Sequence, residues 1–135
     1  NMTSKIISTL LLSLILISCD KNEPAVDLVV KGDSAFNGTF ETTYSDNVSG
    51  TVDLQISNGH YYCTTSLPYG RGAGKIILNG SKITFKDTLF VAVPALYSSA
   101  YVLSGTHEYD FDGTHLKVWR KKNVGEVMYQ LKLKN

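Results

Sequence analysis

Val52-Asp53-Leu54-Gln55-Ile56-Ser57-Asn58-Gly59-His60-Tyr61-Tyr62-Cys63-Thr64-Thr65 is the stretch that decides how this chain folds. Asn-Gly is the pair a two-residue type I′ hairpin needs, because both central positions require positive φ. A turn that short also fixes the register of its strands. Counting outward from Asn58-Gly59 pairs Ile56 with Tyr61, Leu54 with Cys63 and Val52 with Thr65 on one face. Gln55 meets Tyr62 and Asp53 meets Thr64 on the other. Apolar residues gather on one side, as a half-buried antiparallel sheet requires.

The same signal recurs at Asn79-Gly80 and Asp112-Gly113. The first predicts Ile76 against Ile83 and Gly74 against Phe85 inside, with Lys75 opposite Thr84 and Ile77 opposite Lys82 outside. The second predicts Tyr109 against Leu116, His107 against Val118 and Arg120 against Gly105 inside. Glu108 then faces Lys117, and Asp110 faces His115, on the outside. Three separate turns thus agree on one inner face.

Extending the alternation predicts eight strands, at 36–43, 50–57, 60–66, 74–78, 81–86, 100–111, 114–121 and 126–134. Asp46-Asn47, Gly70-Arg71-Gly72 and Asn123-Val124-Gly125 supply the remaining turns. No segment of this region carries helical periodicity. Short connections make a meander, and eight strands in a meander close into an all-β, antiparallel up-and-down barrel with no free edge. A two-sheet sandwich is the competing architecture. One connection, residues 87–99, is long and apolar. Apolar surface costs about 25 cal/mol per Å² in water, so residues 89–97 either plug one barrel end or form a ligand portal. Pro94 can start a short helical turn there.

Upstream of the barrel the chain reads as an export signal. Lys5 is followed by an almost wholly apolar run over residues 6–17. That run is short of the roughly 20 apolar residues a spanning helix needs and fits a signal-peptide core. Leu16-Ile17-Ser18-Cys19 then resembles the lipobox of bacterial lipoprotein signals. The resemblance implies lipid on Cys19, which becomes the first mature residue. The layout is therefore a signal at 1–18, a lipidated cysteine and polar tether at 19–35, and a barrel at 36–135. The whole chain has 13 Lys and Arg against 12 Asp and Glu. Removing residues 1–18 takes away Lys5 and no acid, which leaves 12 of each. That balance gives no support to nucleic-acid binding. With Cys19 acylated, Cys63 has no disulfide partner.

The barrel region resembles the small lipocalin-like lipoproteins of Gram-negative bacteria. The resemblance rests on Phe36-Asn37-Gly38-Thr39-Phe40, Gly59-His60-Tyr61, Ile83-Thr84-Phe85, Leu103-Ser104-Gly105 and Tyr109-Asp110-Phe111-Asp112-Gly113. It implies an up-and-down barrel whose lumen takes small apolar molecules. With the lipobox, it implies a lipid-anchored place in the cell envelope, at the outer membrane, facing the periplasm or the surface.

Catalytic and metal chemistry find little support in the pattern. His60 and Cys63 are three apart on a strand and so point to opposite faces. His107 points inward and His115 outward, so no metal site is expected. Cys63 and His107 share the inner face without an acid to orient the pair, and the thiol reads as a core residue. Glu108, Asp110 and Asp112 project outward or into the turn. The chain is therefore expected to be non-catalytic and without cofactor. The inner face is the candidate site, with Tyr61, Phe85, His107, Tyr109, Tyr129 and Arg120 as ligand-binding residues and Phe111 and Thr65 beside them. Aromatics with a few polar groups suit a small, partly apolar ligand. Eight strands also make a barrel narrow enough to be filled by its own side chains, so a packed core stays open as an alternative. Arg120 either holds a carboxylate or reaches over the rim. The expected partners are the bilayer, through acylated Cys19, and a small apolar ligand. The alternative function is a protein-interaction module, such as an inhibitor of an extracellular hydrolase or a surface-complex subunit, presenting Tyr62 and Trp119.

Overall fold

Wherever the described sequence alternates apolar with polar residues, the chain is strand. The computed structural model describes residues 27–43, 47–88, 103–123 and 125–135. The strands are β1 (Asp33–Thr42), β2 (Val48–Ser57), β3 (His60–Thr65), β4 (Arg71–Asn79), β5 (Lys82–Asp87), β6 (Gly105–Phe111), β7 (His115–Lys122) and β8 (Gly125–Leu133). Each pairs antiparallel with the next, and β1 pairs with β8, so the sheet is a closed eight-stranded barrel and not a sandwich. The signal segment, Cys19, the start of the tether and residues 89–97 lie outside the described residues.

Period-two burial follows each strand. β2 buries Val52, Leu54 and Ile56 and exposes Thr51, Asp53, Gln55 and Ser57. β3 answers with Tyr61 and Cys63. The Asn58-Gly59 hairpin has its expected register, with Ile56 on Tyr61, Leu54 on Cys63 and Val52 on Thr65. Both turn residues have positive φ, at 47° and 77°, as type I′ demands.

The other two hairpins are shifted. At β4–β5, Ile76 meets Phe85 and Gly74 meets Asp87, in place of Ile83 and Phe85. The loop is Gly80-Ser81, since Asn79 itself pairs with Lys82. Gly80 alone takes positive φ, at 59°, which is the type II′ pattern with glycine first. At β6–β7, Tyr109 meets Val118, Asp110 meets Lys117 and Glu108 meets Trp119. There Asp112 is an acceptor: its Oδ1 takes the Thr114 and His115 N–H groups, at 2.8 and 2.6 Å. An Asx turn of this kind competes with the I′ geometry. His115 accordingly contacts Asp112 at 3.1 Å and not Asp110, and Glu108 finds Lys82, at 3.9 Å, in place of Lys117.

Three boundaries also differ from expectation. β1 starts at Asp33, and Leu28, expected in the tether, is 4% exposed and packs into the core. Gly59 N–H donates to Val30 O at 2.6 Å, which ties this lead-in across the hairpin. Arg71 and Gly72, expected in a turn, open β4, and the turn is earlier, closed by Gly70 N–H on Leu67 O at 3.0 Å. β6 begins at Gly105, with Leu103 and Ser104 outside the strand. At the closing seam β1 passes so near β8 that a Cβ on Gly38 would collide with the Gln130 carbonyl oxygen. Only glycine allows that approach.

Candidate functional site

The two ends of the barrel are chemically different. The tight turns β2–β3, β4–β5 and β6–β7 lie at one end, here the turn end. The opposite, loop end receives the β1–β2, β3–β4, β5–β6 and β7–β8 connections. Inward positions near the turn end are Phe36, Ile56, Leu78, Ile83, Phe111 and Leu116, and Leu28 covers them. Strands β1, β2, β3, β4, β6 and β7 carry Thr42, Gly50, Thr65, Gly72, Gly105 and Arg120 toward the loop end. One end is therefore sealed by apolar packing alone, and the other mixes small and polar groups with the buried Val127 and Leu103.

Between the ends runs a row of rings. Tyr61 meets Phe85 edge-on with centroids 5.0 Å apart. Phe85 meets His107 at 6.0 Å, and His107 meets Tyr129 at 6.1 Å. Phe40 stacks on Tyr129 at 5.8 Å. Edge-to-face contacts of this kind contribute about 0.5–1.5 kcal/mol each beyond their buried area. Four of the six candidate residues, Tyr61, Phe85, His107 and Tyr129, thus stand together in the barrel interior, all at most 3% exposed. Arg120 is half-buried at the loop end of the row. Tyr109 is inward but half-buried, two residues nearer the turn end, packed against the apolar core. Sequence reasoning missed Phe40 and Leu103. The alternation Phe36-Gly38-Phe40 could have given the first. The second lies outside any strand, yet it is fully buried, and its carbonyl accepts the Tyr61 hydroxyl at 3.2 Å.

Electrostatics follow burial. Burial pushes the Cys63 thiol up to about 12, against the pull of the Leu103 backbone. Burial also raises both inward phenols, helped at Tyr61 by the Asp87 carboxylate. His107 goes the other way. Burial, then the charges of Arg120 and Lys122, lower it to about 4, so the ring is neutral at pH 7. Its Nδ1–H donates to Gly105 O at 3.1 Å, because a carbonyl only accepts. Nε2 then presents a bare lone pair. That atom is buried and has no hydrogen-bond partner among the described residues.

A break in the wall lies beside it. The β6–β7 ladder stops at Glu108↔Trp119, although β6 runs on to Gly105 and β7 to Lys122. The Arg120 guanidinium spans the gap, with Nη1–H donating to Ser104 O at 3.2 Å. An open pocket of about 280 Å³ lies over this slot, lined by the exposed Lys82, Thr106, Lys121 and Lys122 as well as by His107, Glu108, Trp119 and Arg120. A separate hollow of about 420 Å³ lies on the outer wall across β7, β8 and β1.

His60 is exposed while Cys63 is buried, so the two lie on opposite faces of β3. Among the described residues no three His, Cys, Asp or Glu side chains converge on one point. No family model, no curated protein and no solved structure matches the chain.

Proposed function

We propose that this chain is a membrane-anchored, lipocalin-like barrel that holds a small, partly apolar molecule in its loop-end interior, without catalysing a reaction on it. The observation that supports this reading is the polar nitrogen of His107, buried among Phe85 and Tyr129 with no protein partner among the described residues. Leaving a buried polar atom unpaired costs about 1–3 kcal/mol, and a ligand group removes that cost. Aromatic walls with a few convergent polar groups are the usual lining of small-molecule sites. Cys63 is a poor nucleophile here, because its thiol stays protonated at neutral pH. Lipid on Cys19 would confine such a binder to the envelope membrane, and two acyl chains make the attachment stable where one does not.

The test uses the full chain with Cys19→Ser, which removes the lipid, and the apolar dye N-phenyl-1-naphthylamine. Saturable fluorescence enhancement is expected. Gly72→Leu, whose Cβ on this inward glycine meets only ordinary contacts 3.7–3.8 Å away, should abolish it, with an unchanged circular-dichroism spectrum as the check on folding. The absence of a saturable signal in the parent refutes lumen binding. For the anchor, mass spectrometry of the chain from cells should show acyl mass on Cys19.

A second reading, a protein-interaction module, is favoured by a different surface. Tyr62 and Ile77 are 44% and 50% exposed on the outer faces of β3 and β4. Lys75 and Lys86 stand directly opposite each other on the same wall, and like charges so placed repel. Trp119, by contrast, is half-buried under Lys117, whose Nζ lies 5.0 Å from the ring centroid. Capture of an acidic partner that survives Tyr62→Ala with Ile77→Ala would count against this surface.

A further inference from the structure

The slot between β6 and β7 identifies the kind of polar group that the interior selects. Three observations define it. His107 Nδ1–H is already committed to Gly105 O, so Nε2 acts only as an acceptor. Nε2 is buried, on a residue 2% exposed, and meets no partner among the described residues. On the β7 side the first three residues of β6 have no ladder partner, though β5 pairs with all three, and the open pocket over this gap counts His107 among its lining residues.

A bare lone pair must be met by a hydrogen. Ionised carboxylates and phosphates have none to give, so an anionic head is a poor match for this atom. An ammonium group has hydrogens, but the Arg120 and Lys122 charges that act on His107 would repel it. A neutral donor on an apolar body remains. The aromatic rings of Phe85 and Tyr129 suit the body, and Nε2 suits the donor.

We propose that the β6–β7 slot admits an apolar molecule carrying a neutral hydroxyl group, and that this hydroxyl donates its hydrogen to Nε2 of His107. The proposal rests on the reading of the barrel as a lumen binder and adds the ligand class. Glu108 and Trp119 flank the opening on the outer side, and the Arg120–Ser104 hydrogen bond crosses it at the loop end. Entry from the side therefore needs the Arg120–Ser104 bond to open, while the β1–β2 and β2–β3 ladders stay intact.

Two isomers test it, 1-decanol and 1-methoxynonane. They share composition and near-equal length, but only the alcohol can donate. The ether is the more apolar of the two, so simple hydrophobic partition favours it. In displacement of N-phenyl-1-naphthylamine from the Cys19→Ser chain, 1-decanol should compete about tenfold or more better than 1-methoxynonane, the size of effect expected when a buried acceptor is otherwise left unpaired. His107→Phe keeps a ring and removes the acceptor, and should erase the preference. His107→Gln returns an acceptor oxygen and should restore part of it, with dye binding retained in both variants as the check on folding. In ¹⁵N-histidine spectra, 1-decanol should move the His107 Nε2 resonance away from its bare-acceptor position. Equal competition by the two isomers, or a preference that survives His107→Phe, overturns the proposal while leaving lumen binding intact. An Nε2 resonance already shifted before any alcohol is added, and unmoved by it, means that the atom holds water only and also overturns it. No dye binding in any form overturns the lumen reading and this proposal together.

Discussion

Strands β2 and β3 stay paired from the turn at Ser57↔His60 through to Val52↔Thr65, whereas β6 and β7 part after Glu108↔Trp119 although both run on. Each hairpin is headed by a glycine turn, and each alternates faithfully. The difference lies in what must sit inside. Along β2–β3 the inward pairs are Ile56 with Tyr61, Leu54 with Cys63 and Val52 with Thr65, and the Tyr61 hydroxyl reaches its acceptor, Leu103 O, without parting the ladder. Where β6 and β7 separate, the inward residues are His107 and Arg120. A guanidinium half-buried at a barrel end needs oxygen, and Arg120 takes it from Ser104 outside the ladder. Ladder length here is set by the side chains that the interior has to accommodate, and a turn fixes only where pairing begins.

The sealed seam should be the costlier one to damage. Leu54 is fully buried at its centre, and Leu54→Ala should lower unfolding free energy by about 2–5 kcal/mol in urea titrations. His107→Phe, on the open seam, replaces an unpaired polar atom with an apolar ring and should leave stability at pH 7 nearly unchanged or raise it. If the two substitutions cost the same, the contrast between the seams is wrong.

Acid separates the seams next. His107 titrates at about 4 in the folded barrel against the 6.5 of a free histidine. The unfolded chain therefore takes up a proton first as pH falls. The stability tied to neutral His107 is complete above about pH 6.5 and is lost progressively down to about pH 4. At 1.36 kcal/mol per unit the loss is about 3 kcal/mol. His107→Phe should flatten the urea midpoint across that window. Cys63, on the sealed seam, has its proton removed only near 12 and contributes nothing between these limits.

The faces of this barrel were far more legible than its pairings, and the reason is geometric. Side chains alternate with period two, so a register error of two residues leaves every residue on its own face. Reading Asn79-Gly80 and Asp112-Gly113 as I′ turns misplaced the partners of both hairpins by that amount. It still put Ile83, Phe85, His107 and Val118 inside, where they are buried. The turn type was not legible because Gly80-Ser81 and the Asp112 carboxylate offer alternatives that differ little in local energy. Asn58-Gly59 met no such competitor. The ring row was legible as a set of inward aromatics, but the slot was not, because an unpaired length of ladder leaves no mark in the alternation. Leu28 was missed for a related reason: it lies before the first strand, in a lead-in whose polar start reads as a tether.

Backbone conformation sharpens the comparison further. Gly59 sits at φ 77° in a turn that needs left-handed backbone at both positions. Gly59→Ala should cost about 1–2 kcal/mol, the penalty for an L-residue in that region, although nothing lies within 4 Å of its missing Cβ. The effect should appear as faster unfolding of the sealed hairpin with its register unchanged, read from amide exchange of β2 and β3.

Asp112→Ala should have the smallest effect, and its value lies in where on the pH axis it falls. Asp112 accepts from the His115 and Thr114 backbone N–H groups, and these bonds hold its carboxyl below the ordinary range. A carboxyl with a lowered folded pKa stabilises above its unfolded value, about 3.9, and loses that contribution as pH falls through the folded value. Both groups of the open seam therefore weaken the barrel in acid, but in windows that barely overlap. His107 acts between about 6.5 and 4, and Asp112 acts below. Since Asp112 is solvent-exposed and its partners can turn to water, the loss at pH 7 should be smaller than that of Gly59→Ala. A double variant with His107→Phe and Asp112→Ala should flatten the acid limb in two separable steps. A single step, or a shift in the upper window on changing Asp112 alone, would mean that turn and slot are coupled through β6, and that the opening beside His107 is controlled from the turn end of the barrel.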